Sequence, residues 1–411
     1  MNDDFRPLRP RPGVTPVPPT QKHTETDIFR TPAEAADEHG VPPRPSFGHS
    51  PEGGRQHKKG LLHKLRHLSR KQIIIISVVM GLIIAGALIW WFAIRKKPVT
   101  PAPTPSPQAK VEEAPPAPST VPSRLTGVQV EPSLNDLPVT GVMIENSPDA
   151  RPQSGLYHAG VVYEAIAEGG ITRFLALFQE AKPDYIGPVR SVRPYFLDFL
   201  VPYDAPVAHA GGSGQALTEI RAQGIKDFDH GANASTFERV KGRFAPHNLY
   251  TSREKLLQLH NAKGVNTSNF TGFVRKGDKP SATPNARSID LTISSFLYNP
   301  HFEWEAPTNS YLRSEGGKPH MDERTGKQLN PKVIVALVMT HHYAGIYSVY
   351  GTTGTGKAYF FQDGAITEGV WEKKDRKSQF KFGDSNGSPQ GLNAGQTWVT
   401  LITSPSAIKH Q

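Results

Sequence analysis

An uncharged run that begins at Ile73 and ends at Ile94 (IIIISVVMGLIIAGALIWWFAI) constrains this chain more than any other feature. As an α-helix its 22 residues rise roughly 33 Å, enough for a bilayer core of about 30 Å. Trp90 and Trp91 stand near one end, where interfacial aromatics are expected. Basic clusters on both sides argue against a buried core helix. A start some 70 residues into the chain argues against a cleaved signal peptide. Seven basic residues precede the run (Arg55, Lys58, Lys59, Lys64, Arg66, Arg70, Lys71) and three follow it (Arg95, Lys96, Lys97). That asymmetry puts the N-terminus in the cytoplasm and the long C-terminal part outside the cell membrane.

The same segment accounts for the net charge. The chain carries 47 Lys+Arg against 37 Asp+Glu, a formal +10. Residues 53–97 hold ten basic groups and no acid, whereas residues 123–411 hold 30 basic and 27 acidic groups. The excess therefore belongs to membrane lipid, engaged by the apolar run and its basic flanks, and no nucleic-acid partner is expected. Residues 60–70 (GLLHKLRHLSR) read as a short basic amphipathic helix lying on anionic lipid. The absence of cysteine excludes a disulfide scaffold, a thiol nucleophile, a Cys-ligated metal and an N-terminal lipid on Cys. No cofactor or metal site is expected.

Proline divides the rest. Of 38 prolines, 11 fall in residues 1–60 and nine in residues 98–122. Residues 1–72 read as a disordered cytoplasmic tail with its basic juxtamembrane segment, and residues 95–123 as a polyproline-like stalk. Residues 124–264 read as an α+β domain. Its strands are expected at 139–145, 160–167, 172–179 and 206–210, and its helices at 215–223 and 252–260, the latter capped by Ser252. Residues 285–405 read as a β-rich domain, with strands at 290–296, 302–305, 333–340, 345–350, 357–362, 365–371 and 397–402. The fold class is thus a single-pass membrane protein with an α+β ectodomain followed by a β-rich domain.

Several motifs carry chemistry. GTTGTGK at 351–357 has the spacing of a phosphate loop, but Ala358 replaces the magnesium-binding hydroxyl and a strand pattern follows, so a hairpin turn is the better reading. AHAGGSGQA places His209, Gly211, Gly212 and Ser213 where a strand runs into a helix, which is either a tight turn or an anion site. Gln215 prevents Ser213 from completing a nucleophile elbow. Arg190, Ser191 and Arg193 in GPVRSVRPYF, with Arg173, could converge on phosphate or carboxylate, or lie solvated. Glu164 and Glu168 are an acid–base or metal pair, or, as favoured here, partners of those arginines. His247 with Asn248 and His320 with Asp322 are polar groups at bends, too few for a metal site. His341 and His342 close a strand with no carboxylate partner nearby in sequence.

Long stretches resemble a known family. ENSPDARPQSGLYHAGVVYEAIAEGGITRFLALFQ, IGPVRSVRPYFLDF, AHAGGSGQA and APHNLYTS, then HMDERTG, VIVALV, GTGKAYFFQDG, GVWEKKDR and LNAGQTWV, are similar to the YerB-like lipoprotein family, a domain of unknown function in two parts. The resemblance spans roughly residues 125–405 and implies an envelope-anchored bacterial protein without an assigned reaction. This chain departs from it in having no lipobox Cys. A looser similarity of order, namely an Arg near a strand, a P-x-R turn at Pro188-Val189-Arg190 and a later Gly-Gly loop, links it to the LytR–CpsA–Psr phosphotransferases, which bind polyprenyl pyrophosphate. That similarity implies Arg173, Arg190 and Arg193 as anion holders and Glu164 or Glu168 as base or metal ligand. Two functions follow. The favoured one is a non-enzymatic envelope protein that binds a cell-wall component or a protein partner. The alternative is an extracytoplasmic enzyme acting on a phosphorylated or glycan substrate.

Overall fold

The computed structural model describes residues 69–94 and 119–411. The bulk of the 1–72 tail, the basic residues Arg55 to Arg66, the 60–68 part of the amphipathic segment, Arg95 to Lys97 and the stalk up to residue 118 lie outside the described residues. Two compact units divide the chain at Pro116/Ala117.

The first unit contributes one helix, α1 (Arg70–Ile94), of 25 residues. Its stretch Ile74–Trp91 is long and apolar enough to cross a membrane by length and composition. Ile75, Leu82, Ile89 and Trp90 are exposed among the described residues, so this helix turns apolar side chains outward.

The second unit is a mixed α+β and β-rich body. Its first half supplies β1 (Thr140–Glu145), β2 (Val161–Ile166), β3 (Thr172–Phe178), α2 (Pro194–Leu200), β4 (Val207–His209), α3 (Gly214–Gln223), β5 (Asp227–Asp229) and α4 (Arg253–Lys263). Its second half supplies β6 (Ser288–Leu291), β7 (Pro300–Glu305), β8 (Ser310–Glu315), β9 (Lys318–Pro319), β10 (Val333–Val338), β11 (His341–Ala344), β12 (Tyr347–Tyr350), β13 (Gly354–Gln362), β14 (Ala365–Lys373), β15 (Lys381–Asp384), β16 (Thr397–Ile402) and β17 (Ile408–His410). Ser252 and Ser213 cap α4 and α3 through their side-chain oxygens, and Gly264 and Gly224 close them in left-handed conformation.

The two halves share one sheet. Ten strands run in the order β15-β14-β13-β10-β16-β2-β3-β1-β4-β5. The halves expected at 124–264 and 285–405 therefore meet in one continuous hydrogen-bonded ladder. Its seam is β16, parallel to β10 on one side and to β2 on the other, with Trp398 opposite Val162. Every residue of β1, β2, β3 and β16 is buried, as expected of central strands covered on both faces.

Alternate side chains build two cores. Tyr163, Leu175, Val335 and Val399 meet α2 and α3 on one face through Phe196, Phe199, Ala216 and Ile220. Val162, Phe174, Ile334 and Trp398 meet a second sheet, β9-β8-β7-β6-β17, on the other face through Ile289, Phe302 and Tyr311. The helix α2 escapes a periodicity search because six of its seven residues are buried, leaving no polar stripe. Gly351 and the residues after it lead into β13, where Lys357 pairs with Val370 as an ordinary strand residue, so no phosphate loop forms.

An ionic network sits between the sheets. Arg313 of β8 is fully buried and donates to both oxygens of Glu164 (2.9 and 3.1 Å) and to Glu315 (3.0 Å). The Trp398 indole donates to Glu164 at 2.8 Å, and the Arg313 guanidinium stacks over that ring at 4.8 Å. Burial pushes the Glu164 carboxyl above its ordinary value, against the pull of Arg313. Thr172, Arg313 and Trp398 all donate to it. His320, bound to Gln153 at 2.7 Å, is held neutral by burial and by the Arg313 charge. Asp322 caps the turn that follows. Arg313→Met leaves the buried Glu164 without its cation and Glu315 with Arg151 alone, and we expect a loss of about 3–5 kcal/mol in urea unfolding. A loss below about 1 kcal/mol would mean that the network is not a stabilising tie.

Candidate functional site

β1 and β4 run parallel and end at the same edge of the large sheet, beside the turn that joins β2 to β3. Open sheets commonly present ligand crevices beyond the carboxyl ends of parallel strands. Here that edge collects most of the sequence-predicted residues.

Backbone pairing joins the arginine segment to the glycine loop. The Val192 amide donates to the Gly211 carbonyl (3.0 Å), the Ala210 amide to Arg190 (3.1 Å), and the Ser191 hydroxyl to Ala210 (2.9 Å). Gly211 takes a left-handed φ of +64°, and a Cβ on Gly212 would meet Val192 Cγ1 at 2.9 Å, so the first glycine serves the turn and the second the close packing. Below the loop His209 is fully buried, with Nδ1 2.7 Å from the Gly211 carbonyl and Nε2 2.9 Å from Asp227. Ser213 is a helix cap and accepts from the Ala216 amide at 3.3 Å.

Three arginines converge at this edge on two carboxylates. Arg173 donates to Ser191 O (2.9 Å) and to Glu168 (3.2 Å). Arg193 donates to the other Glu168 oxygen and to the Val192 carbonyl (2.6 Å). Arg190 Nε lies 3.2 Å from Glu145, whose same oxygen is 3.0 Å from His247 Nδ1. Asn248 is turned elsewhere and receives Arg239 at 2.8 Å. Glu164 is not part of this edge, since it is sealed against Arg313. Burial lowers the pKa of Arg193, and the nearby Arg173 charge adds to that; burial likewise lowers Arg190, with Glu145 opposing. For Glu168, burial is outweighed by Arg173 and Arg193, and its carboxyl is held below the ordinary value. For Glu145 burial is outweighed by the His247 hydrogen bond and the Arg190 charge, with the same result.

Next to Arg193 a cleft of about 270 Å³ opens, lined by Arg193, Tyr195, Ser213, Gln215, Tyr347 and Arg376 among others. The hairpin β11–β12 forms one wall, and Tyr347 bridges by its backbone to Glu168 while its ring lies under the Arg193 guanidinium at 5.5 Å. On the opposite wall Arg376 binds Asp198, Glu219 (2.8 Å) and the Gln223 carboxamide (3.0 Å). Among the described residues no group of three His, Asp or Glu side chains is arranged to hold a metal ion. Sequence reasoning passed over Glu145, Tyr347 and Arg376. Glu145 carried a signal, as the one charge at the end of an apolar strand. The other two come from the second half of the chain and have no local signature.

Both Glu168 and Glu145 have folded-state pKa values below their ordinary 4.5, so the stability they contribute is present above that pH and is lost as pH falls through their folded values. Glu168→Gln is therefore expected to lower the urea midpoint at pH 7, with the gap to wild type closing as pH drops below 4.5. A gap that stays constant from pH 7 to pH 3 would contradict the ion-pair assignment.

Comparison with known proteins places this architecture. Residues 125–266 match the family described as "Protein of unknown function (DUF3048) N-terminal domain", and residues 289–399 match its C-terminal domain. The Bacillus subtilis (strain 168) protein named "Putative lipoprotein YerB" is 30% identical over 286 residues, covering 68% of this chain and 85% of that protein. The crystal structure of YerB from Bacillus subtilis superposes with a TM-score of 0.65 at 26% identity, covering 71% of this chain and 99% of that one. Both parts of the family are matched in order along one chain, and the chain belongs to the DUF3048 family.

Proposed function

We propose that this chain is a membrane-tethered, extracytoplasmic binding protein of the cell envelope, and that it recognises an envelope component in the cleft beside Arg193. The observation that carries the binding reading is the state of the carboxylates. Glu168 is shared between Arg173 and Arg193, Glu145 between Arg190 and His247, and Glu164 is buried on Arg313, so each candidate base is already engaged by a cation. A general base needs an open lone pair within reach of its substrate, and a phosphate cradle needs uncompensated cations. A rigid, pre-paired wall favours recognition over turnover.

The tether follows from the family and the sequence together. A relative named as a lipoprotein is held at a membrane by lipid, and this chain, without cysteine, has α1 to take that role. The excess of basic residues before α1 directs the body outside the cytoplasm.

Two experiments test the proposal. A phosphatase reporter that is active only outside the cytoplasm, fused at Gln411, is expected to be active, and activity of a cytoplasm-only reporter there overturns the topology. Purified full-length chain in detergent is expected to co-sediment with isolated sacculi or to be retained by envelope extract, and Arg193→Ala to reduce that retention. No retention by any envelope fraction overturns the binding reading.

A further inference from the structure

We infer that the cleft beside Arg193 takes an uncharged saccharide unit; this deepens, and rests on, the binding reading above. The first argument is charge. Four charged side chains line the cleft, and each is paired. Arg376 holds Asp198 and Glu219 together, and Arg193 is held by Glu168 on the adjoining wall. A phosphate or carboxylate entering here would have to separate a half-buried ion pair and leave a carboxylate facing its own charge, which is costly. A ligand rich in hydroxyls meets no such penalty. It can donate to the carboxylate oxygens and accept from the guanidinium and carboxamide N–H groups while the pairs stay intact.

The second argument is shape. Tyr195, Tyr347 and Tyr350 line the cleft. Two of them are fixed through their hydroxyls to one residue: Tyr195 donates to the Ile166 carbonyl (2.6 Å), and Tyr350 accepts from the Ile166 amide (3.1 Å). Their rings meet edge to face at 5.0 Å and form a closed aromatic floor. Tyr347 stands above it, 40% exposed. A pyranose has an apolar C–H face and a polar hydroxyl rim, and this wall offers the matching surfaces: an electron-rich ring face flanked by planar donor–acceptor groups. The volume of about 270 Å³ suits a short saccharide segment and is too small for a polyisoprenoid chain.

The test titrates full-length chain in detergent with the N-acetylglucosamine tetramer and, separately, with pyrophosphate, by calorimetry. We expect saturable binding of the tetramer that changes little between low and high salt, and no competition by pyrophosphate. Tyr347→Ala is expected to weaken binding about ten-fold, equivalent to about 1.4 kcal/mol, with an unchanged melting temperature, and Tyr347→Phe to restore it. Pyrophosphate binding that displaces the tetramer, or tetramer binding indifferent to Tyr347→Ala, overturns the inference. Sacculus or extract retention without any tetramer binding also overturns it, while leaving the broader binding proposal standing.

Discussion

The contact between Arg313 and Glu164 is the constraint around which the body is organised. Each residue sits at the inner face of a different sheet, and neither is tolerable there alone. A buried ion pair is weak evidence of net stability, but a broken one is expensive, so it works chiefly by forbidding alternatives. If β8 slipped by one residue relative to the large sheet, Arg313 would turn to the opposite face and Glu164 would lose its cation. The register of the smaller sheet is therefore tied to that of β2. Trp398 adds a third anchor from β16, since it both donates to Glu164 and stacks on Arg313.

The strand-edge cluster obeys the same logic in a wetter place. Glu168 and Glu145 sit where the sheet ends, and each is held by an arginine as Glu164 is. The consequence is mechanical. Glu168 holds two arginines from different segments and pairs by backbone with Tyr347, so the first half of the chain and the β11–β12 hairpin move as one piece at the mouth of the cleft.

Legibility in the sequence followed burial. Strands such as 139–145 and 172–179 could be read because both faces are covered and their residues are almost uniformly apolar. The helices at 215–223 and 252–260 could be read because serine and glycine mark their ends. By contrast β8 (SYLRSE) reads as polar, because its inward positions include Arg313 and Glu315, ions that the fold pairs internally. The sharing of one sheet by both halves was invisible for a different reason. Strand partners are chosen by contacts far apart in sequence, and nothing local in TWVTLI names VVYEAI as its neighbour. For the site, the arginine and glycine motifs were legible as a group. The pairing of Glu168 with Arg173 and Arg193 was legible too, whereas the parts of Glu145, Tyr347 and Arg376 were not, because they reach the edge from distant segments.

The seam strand β16 also has a consequence in time. It lies between β2 and β10, yet it is made more than two hundred residues after β2. During synthesis the first half therefore has an open strand edge in the middle of its future sheet, and no earlier segment in the native topology fills that gap. Such an edge invites pairing with other chains, and sheets closed by distant strands form slowly. Completing the body is thus a late, all-at-once event. A chain truncated just before Thr397 would keep most of its residues and lose the strand that joins them.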